Sequence, residues 1–404
     1  MSTKKCVISG IAGQDGSYLA EHLSALGYEV HGIIRRNSVS EQQQTRIDHL
    51  AGRVSVYYGD LSDPSGLERL LREVQPGEIY NLAAQSHVRI SYDIPQYTAQ
   101  TNAVGVLNML EAYRNACPKA KFYQASSSEM FGSSVDPDGF QRETTPLMPV
   151  SPYGCAKVFG FNIVRNYRNA YKLHASNGIL FNHESPRRGS NFVTNKVVKT
   201  AVQIKLGIVK ELELGNLDAY RDWGHSKDYV RAMHLILQQD EPGDWVVATG
   251  ETRSVRDMCK YVFSQLDLNY EDYVIHNAKF LRPQELPYLK GDATRIKSEL
   301  GWKPEYTFEM MMDEMIESWL NHYGRSGRLG FHENRHLSRL PIGSRTAKHA
   351  KPSRTRLKSG SRSSRHSSLS SKLPRWGHPT DQSRYRTDRP STYSRGKAGS
   401  QRRP

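Results

Sequence analysis

Two short stretches carry the means for proton chemistry. In QASSSEMFG (residues 124–132) three serines lead to Glu129, and in SPYGCAK (151–157) Tyr153 stands four residues before Lys157. Residues four apart share a face of a helix, so Tyr153 and Lys157 would point the same way. A free phenol, with a pKa near ~10, is too weakly acidic to act as a base at neutral pH. A neighbouring ammonium and the positive charge of an oxidised nicotinamide both favour phenolate and would lower that value. The lysine could also hold ribose hydroxyls. A serine hydroxyl with such a pair suffices to oxidise an alcohol, and Glu129 adds a second proton transfer. The bland alternatives are a Tyr–Lys pair on a helix surface and a loop carboxylate at a strand end. The elements around these residues must decide.

The first such element is a phosphate loop. SGIAGQDGSYL places Gly10, Gly13 and Gly16 three apart, after a strand and at the opening of a helix, with Gln14 and Asp15 between them. Gly10 permits a tight turn, Gly13 lets backbone approach a pyrophosphate, and Gly16 allows close helix–strand packing with the helix N-terminus facing the anion. The strand that follows ends in Arg35 and Arg36, where an NAD-binding chain would offer an acid. Two guanidiniums attract a 2′-phosphate, so the cofactor expected is NADP. Asp60 and Leu61 end a third strand, where they could meet the adenine amino group and ring. Leu82, Ala83, Ala84, Gln85 and Ser86 end a fourth, with small residues where backbone must pass a ribose.

Strand and helix signals alternate through this half: KKCVISG, then GSYLAEHLSALG, YEVHGIIRR, VSVYYGDL, SGLERLLREV, EIYNLAA, AVGVLNMLEAYRNA and KFYQASS. Such alternation implies an α/β, Rossmann-like doubly wound parallel sheet. Beyond about residue 180 the pattern loosens, which predicts a smaller α/β substrate-binding lobe over 181–324 made of interleaved segments. Its last helix reads FEMMMDEMIESWLNHYG.

The formal charge of +15 is unevenly distributed. Residues 325–404 hold 21 Lys/Arg against three acids, a charge of +18, and the preceding 324 residues carry −3. The basic segment is Ser/Arg-rich without apolar periodicity, and is expected to be disordered. The four cysteines are scattered without metal-ligand spacing, so no metal is expected and a reduced compartment is. No stretch reaches the ~18 apolar residues of a membrane span, and the N-terminus has no apolar signal region, which predicts a cytoplasmic protein.

Residues 4–324 resemble the extended short-chain dehydrogenase/reductases, and within them the GDP-mannose 4,6-dehydratase family. The resemblance rests on GIAGQDGSYL, GIIRR, RIDHL, YGDLSD, YNLAAQSHVRISYD, QASSSEMFG, SPYGCAK, GILFNHESPRRG, LGNLDAYRDWGHSKDYV, ATGETRSVRDM, LRPQE, GDATR and LGW. It implies a hydro-lyase acting on GDP-mannose through bound NADP, with Ser127, Glu129, Tyr153 and Lys157 as the catalytic group. It further implies Tyr97, His183 and Arg188 as additional cofactor contacts, and Asn182, Lys196, Arg221, Arg282 and Glu285 at the substrate. Ser127 stands where the family usually has threonine, which keeps the hydroxyl and loosens its positioning. NSVSEQQQTRIDHL is longer than the family's loop, which reaches a neighbouring subunit, so a homodimer is as expected as a homotetramer. GSSVDPDGF is also extended, near the site entrance. Two alternatives stay open: a reductase acting on the 4-keto product, alone or as a second activity, and a polyanion-binding protein working through the basic segment.

Overall fold

A computed structural model describes residues 4–36 and 45–336, with side chains to 324. Its strands in chain order are β1 (Lys5–Ser9), β2 (Glu29–Ile34), β3 (Val54–Tyr58), β4 (Glu78–Asn81), β5 (Lys121–Ser127), β6 (Ala175–Leu180) and β7 (Asn182–Glu184). After these come β8 (Leu212–Leu214), β9 (Tyr220–Arg221), β10 (Trp223–His225), β11 (Asp244–Val247), β12 (Arg253–Ser254) and β13 (Val274–His276). Seven form one sheet in the order β11-β6-β5-β4-β1-β2-β3, and every pairing in it is parallel. The chain steps outward from β1 to β3, returns, and steps outward again from β4. The reversal leaves a crevice at the carboxyl ends of β1 and β4, the place where sheets of this kind receive ligands.

Both faces of the sheet are covered, so the central strands are buried almost throughout and even Asn81, Gln124 and Asn177 are enclosed. On one face lie α1 (Gln14–Ala25) and, from far along the chain, Ser226–Gln238. On the other lie α2 (Pro64–Val74), Gly105–Ala116 and Pro152–Tyr171. In α2 the buried residues Leu67, Leu70, Leu71 and Val74 recur at helical spacing, and Asp63 caps the start by accepting from the Gly66 amide at 3.0 Å. Pro152 opens the helix that carries Tyr153, with Ser151 accepting from the Gly154 amide at 3.0 Å. These caps set where the helix begins, and hence where Tyr153 faces.

A third apolar cluster joins Val193–Lys205, Val255–Ser264 and the last helix through Val197, Val198, Val202, Met258, Val262, Met311, Met312 and Met315, with Trp223 against them. Between its parts, Ser226–Gln238 and β11 rejoin the large sheet, so the chain visits the two regions in turn. The last helix runs from Phe308 to His336, past the end expected at Gly324. Glycine alone does not stop a helix, and the next proline is Pro341. Disorder is expected from residue 325, but residues 325–336 continue this helix; the rest of the basic segment, and residues 37–44 of NSVSEQQQTRIDHL, lie outside the described residues. No helix among the described residues is long and apolar enough to cross a membrane.

Candidate active site

The glycine loop meets the end of β4 closely. Gly10 has φ +72°, and a Cβ there would lie 3.0 Å from the backbone of Ala83. A Cβ on Gly16 would run into the carbonyl of Gly10 and the Cα of Ile11 at 2.6 Å. Ser9 closes the crevice by accepting from the amides of Leu82 and Ala83 at 3.0 and 3.1 Å. Gln14 and Asp15 turn toward β7. Gln14 donates to the His183 carbonyl at 3.1 Å, and Asp15 holds the His183 imidazole at 2.8 Å. Burial opposes charge on both members of that pair, but their mutual attraction outweighs it, so Asp15 titrates below its usual range and His183 above its own.

Farther along the same edge, Arg35 and Arg36 leave β2 exposed, and Arg35 meets the Tyr97 hydroxyl with its guanidinium 5.8 Å from that ring. Asp60 accepts from the amide and hydroxyl of Ser62 at 2.9 and 2.7 Å. Leu61 corrects an expectation: its side chain is buried in the core beside Gly105. Gln85 is tied to the Asn102 side chain, whose Oδ1 accepts from the Gln85 backbone amide at 2.8 Å.

A cavity of about 320 Å³ opens beside this crevice. Its walls include Leu82, Ala84, Ser86, Ser127, Glu129, Tyr153, Lys157, Asn182, His183, Arg188, Lys196, Arg221, Arg282 and Glu285. Every residue named at the sequence level for catalysis or substrate therefore lines one space, although they span positions 127 to 285. The glycines, Gln14, Arg35, Arg36, Asp60, Leu61, Ala83, Gln85 and Tyr97 lie outside its lining.

Ser127 ends β5 and accepts from the Glu129 amide at 3.2 Å, which turns the chain and puts the Glu129 carboxylate on the cavity wall. Ser127 shares the cavity wall with Tyr153. Lys157 donates to the Ala125 carbonyl at 2.8 Å and lies 5.7 Å from the Tyr153 ring. Burial pushes the Tyr153 phenol up, to about 12, and the Ser127 hydroxyl opposes this. Burial also pulls Lys157 down to about 8. A charge supplied from elsewhere would have to lower the phenol.

The far wall is a chain of opposed charges. Arg221, almost wholly buried, meets Glu285 Oε1 at 2.9 Å. Arg282 reaches the same oxygen at 3.5 Å and Glu129 Oε1 at 3.3 Å. The other oxygen of Glu129 is buried and has no hydrogen-bond partner among the described residues. Lys196 donates to the Glu213 carbonyl at 2.6 Å and sits 3.5 Å from the centre of the Phe280 ring.

Sequence reasoning missed two carboxylates that hold this wall. Glu184, fully enclosed, pairs with Arg188 at 2.9 Å and accepts from Thr194 at 2.6 Å. Asp222 accepts from the amides of Thr249, Gly250 and Gly291 at 2.9, 2.9 and 3.4 Å and from the Thr249 hydroxyl at 2.7 Å. Burial raises it to about 6 despite these bonds. Asp222 has only distant partners and backbone amides, so no local spacing announces it; Glu184 stands four residues before Arg188, a spacing that could have flagged the pair. The extended GSSVDPDGF stretch is held by Arg142, which reaches Asp136 and Asp292 at 2.9 and 2.8 Å.

A doubly wound parallel sheet, a glycine loop at its reversal and a Ser–Tyr–Lys group at the end of β5 define the short-chain dehydrogenase/reductase class. A carboxylate beside that group and a cationic far wall narrow it. The chain belongs to the GDP-mannose 4,6 dehydratase family, whose model matches residues 7–315. It is 49% identical to GDP-mannose 4,6 dehydratase 1 of Arabidopsis thaliana, over 78% of this chain and 90% of that one. It is 47% identical to GDP-mannose 4,6 dehydratase of Drosophila melanogaster, over 78% and 86%. The fold is shared with UDP-glucose 4-epimerase of Thermotoga maritima, with TM-score 0.70 and 23% identity over 79% of this chain and 99% of that one. It is also shared with dTDP-glucose 4,6-dehydratase of Bacillus anthracis, with TM-score 0.68 and 22% identity over 79% and 97%.

Proposed function

We propose that the chain converts GDP-mannose to GDP-4-keto-6-deoxymannose, a water elimination without net redox change, with NADP resident. The observation that carries this reading is Glu129. It is a buried carboxylate with one unpartnered oxygen, in the same cavity as Ser127, Tyr153 and Lys157. An enzyme that oxidises and reduces a single carbon has no use for that acid.

The residues fit the cofactor. Gly10 and Gly16 let the loop pack directly on its own backbone and on the end of β4, which brings the start of α1 to the crevice where a pyrophosphate would lie, and Arg35 and Arg36 stand exposed at the strand end where a 2′-phosphate would lie. Bound NADP would supply hydride acceptance from sugar carbon 4 and its return to carbon 6. Its positive ring would also help the buried phenol of Tyr153 ionise. Tyr153 then accepts the proton of the carbon 4 hydroxyl, which Ser127 holds. Lys157, fixed by the Ala125 carbonyl, steadies the charge. The 4-ketone acidifies carbon 5, Glu129 takes that proton, and the same carboxyl protonates the departing hydroxyl at carbon 6; as hydride returns to carbon 6, carbon 5 regains a proton, balanced by the one Tyr153 took from the carbon 4 hydroxyl. Lys196, Arg221 and Arg282 neutralise the diphosphate, Asn182 and Glu285 hydrogen-bond the substrate, and His183, Arg188 and Tyr97 complete the cofactor site.

The unit boundaries that accompany this reading are 1–180 for cofactor, 181–324 mainly for the sugar nucleotide, and 325–404 as a basic appendage. Assembly as a homodimer or homotetramer and a cytoplasmic setting belong to the same proposal.

The test is incubation with GDP-mannose and catalytic NADP. The 4-keto-6-deoxy nucleotide sugar should form, and deuterium at carbon 4 should reappear at carbon 6. No product, or label lost to free NADPH, would overturn the reading; a reductase alone would leave GDP-mannose untouched. Cofactor choice is tested by replacing Arg35 and Arg36 with alanine. NADP binding should weaken by about one to two decades per lost charge-assisted contact, and NAD binding much less.

A further inference from the structure

Arg282 holds two carboxylates with one nitrogen, and the two contacts are unequal in what they leave behind. Glu285 Oε1 is served without it, by Arg221 at 2.9 Å and by the Leu286 amide at 3.1 Å. Glu129 has no such second support: Oε1 faces Arg282, and Oε2 faces no donor among the described residues. The Arg282–Glu129 separation of 3.3 Å also exceeds the roughly 2.7–2.9 Å of a tight guanidinium–carboxylate bond. Arg282 is thus loosely held, at the surface of the cavity that would receive a diphosphate.

We infer that Arg282 is a specificity-determining switch: it pairs with Glu129 until the diphosphate of the substrate takes it away, which frees the carboxylate for the sugar. This rests on the dehydratase reading above. A diphosphate carries more negative charge than a single carboxylate and offers several acceptor oxygens, so it wins the guanidinium in competition. Glu285 keeps Arg221 when Arg282 leaves, so the wall stays neutralised. A sugar lacking the diphosphate leaves Glu129 paired, which ties the proton transfer to recognition of the nucleotide end. Coupling of this kind is reciprocal: whatever releases Glu129 from Arg282 also tightens the diphosphate.

The reciprocity gives a readout independent of turnover. GDP is titrated calorimetrically into the full chain with NADP present, for the wild type, Glu129→Gln, Arg282→Gln and the double variant. Glu129→Gln should bind GDP roughly 3- to 30-fold more tightly than the wild type, because the guanidinium has lost its competitor. In the Arg282→Gln background the same change should do nothing. Unchanged or weaker binding in Glu129→Gln overturns the switch. Equal tightening in both backgrounds overturns it too, since that would be simple removal of a negative charge. Arg282→Met, which keeps the stem, replaces Arg282→Gln if that variant does not fold. Product formation by the wild type tests the function separately: product without the tightening leaves the dehydratase reading standing and removes only the switch.

Discussion

At the carboxyl ends of β1 and β4 the site is made of backbone, whereas across the cavity, on residues 182–196, 221–222 and 282–285, it is made of charged side chains. The first half is close-fitting: Gly10 and Gly16 leave no room for one extra carbon. The second half is a set of shared partners, with Glu285 serving Arg221 and Arg282, and Arg282 serving Glu285 and Glu129. The two should fail differently. A backbone cradle breaks when atoms are added, and a charge network re-pairs when one member is removed, so its losses do not add.

The largest effect should come where the network meets the chemistry. Glu129→Gln keeps shape and removes the base, so turnover of GDP-mannose should fall about 10²- to 10⁴-fold with NADP still bound. Near-normal product formation would remove the dehydratase assignment. The cradle is tested by Gly16→Ala. One methyl group against rigid backbone should cost about 3 kcal/mol of stability and weaken cofactor binding, read by urea unfolding and NADP titration. If both values match the wild type, the close fit has been overstated.

Asp222 probes the support behind the charged wall. Its folded pKa is raised to about 6 from a reference of 3.8, and burial is the cause. Below pH ~4 the group is protonated folded or unfolded and costs nothing. Between pH ~4 and ~6 the unfolded chain loses the proton first, so the folded state loses stability, by roughly 3 kcal/mol at most; above pH ~6 the loss is constant. Asp222→Asn removes this slope and spoils the amide bonds. The wild type's stability advantage over the variant should therefore shrink from pH 4 to pH 7, as read by urea midpoints. A constant difference would mean that Asp222 does not titrate in this window. The smallest effect should follow removal of residues 337–404, since both halves of the site lie before them. Turnover should stay within about twofold, and retention on cation exchanger at low salt should drop. Loss of turnover in a folded truncated chain would add a third region to the site.

Legibility in the sequence follows the range of the interactions. KFYQASS was readable as a strand to the residue, because its aromatic pair Phe122 and Tyr123 follows a helix and a turn in a regular alternation of strands and helices. The glycine loop was readable because its spacing is the geometry. The substrate residues came only through resemblance, since a lone Arg282 or Lys196 is indistinguishable from a surface charge. Asp222 gave no signal, because its partners are backbone amides and a hydroxyl far along the chain, whereas Glu184 and Arg188 stand at a readable spacing of four. The last helix was cut short at Gly324 because the change in composition there was taken for the end of the element.

Local order in the chain therefore settles the strands, the helix starts at Asp63 and Ser151, the phosphate loop and the shared face of Tyr153 and Lys157. Each depends on contacts within a few residues, and the chain carries those contacts wherever it folds. Tertiary structure alone decides that burial lifts the Tyr153 phenol. It also decides that Leu61 faces the core and that Arg282 lies against Glu129, 153 residues away in sequence. Proton affinity and charge pairing depend on which atoms exclude water from a site and which opposite charge comes nearest, and both are set only when distant segments pack together.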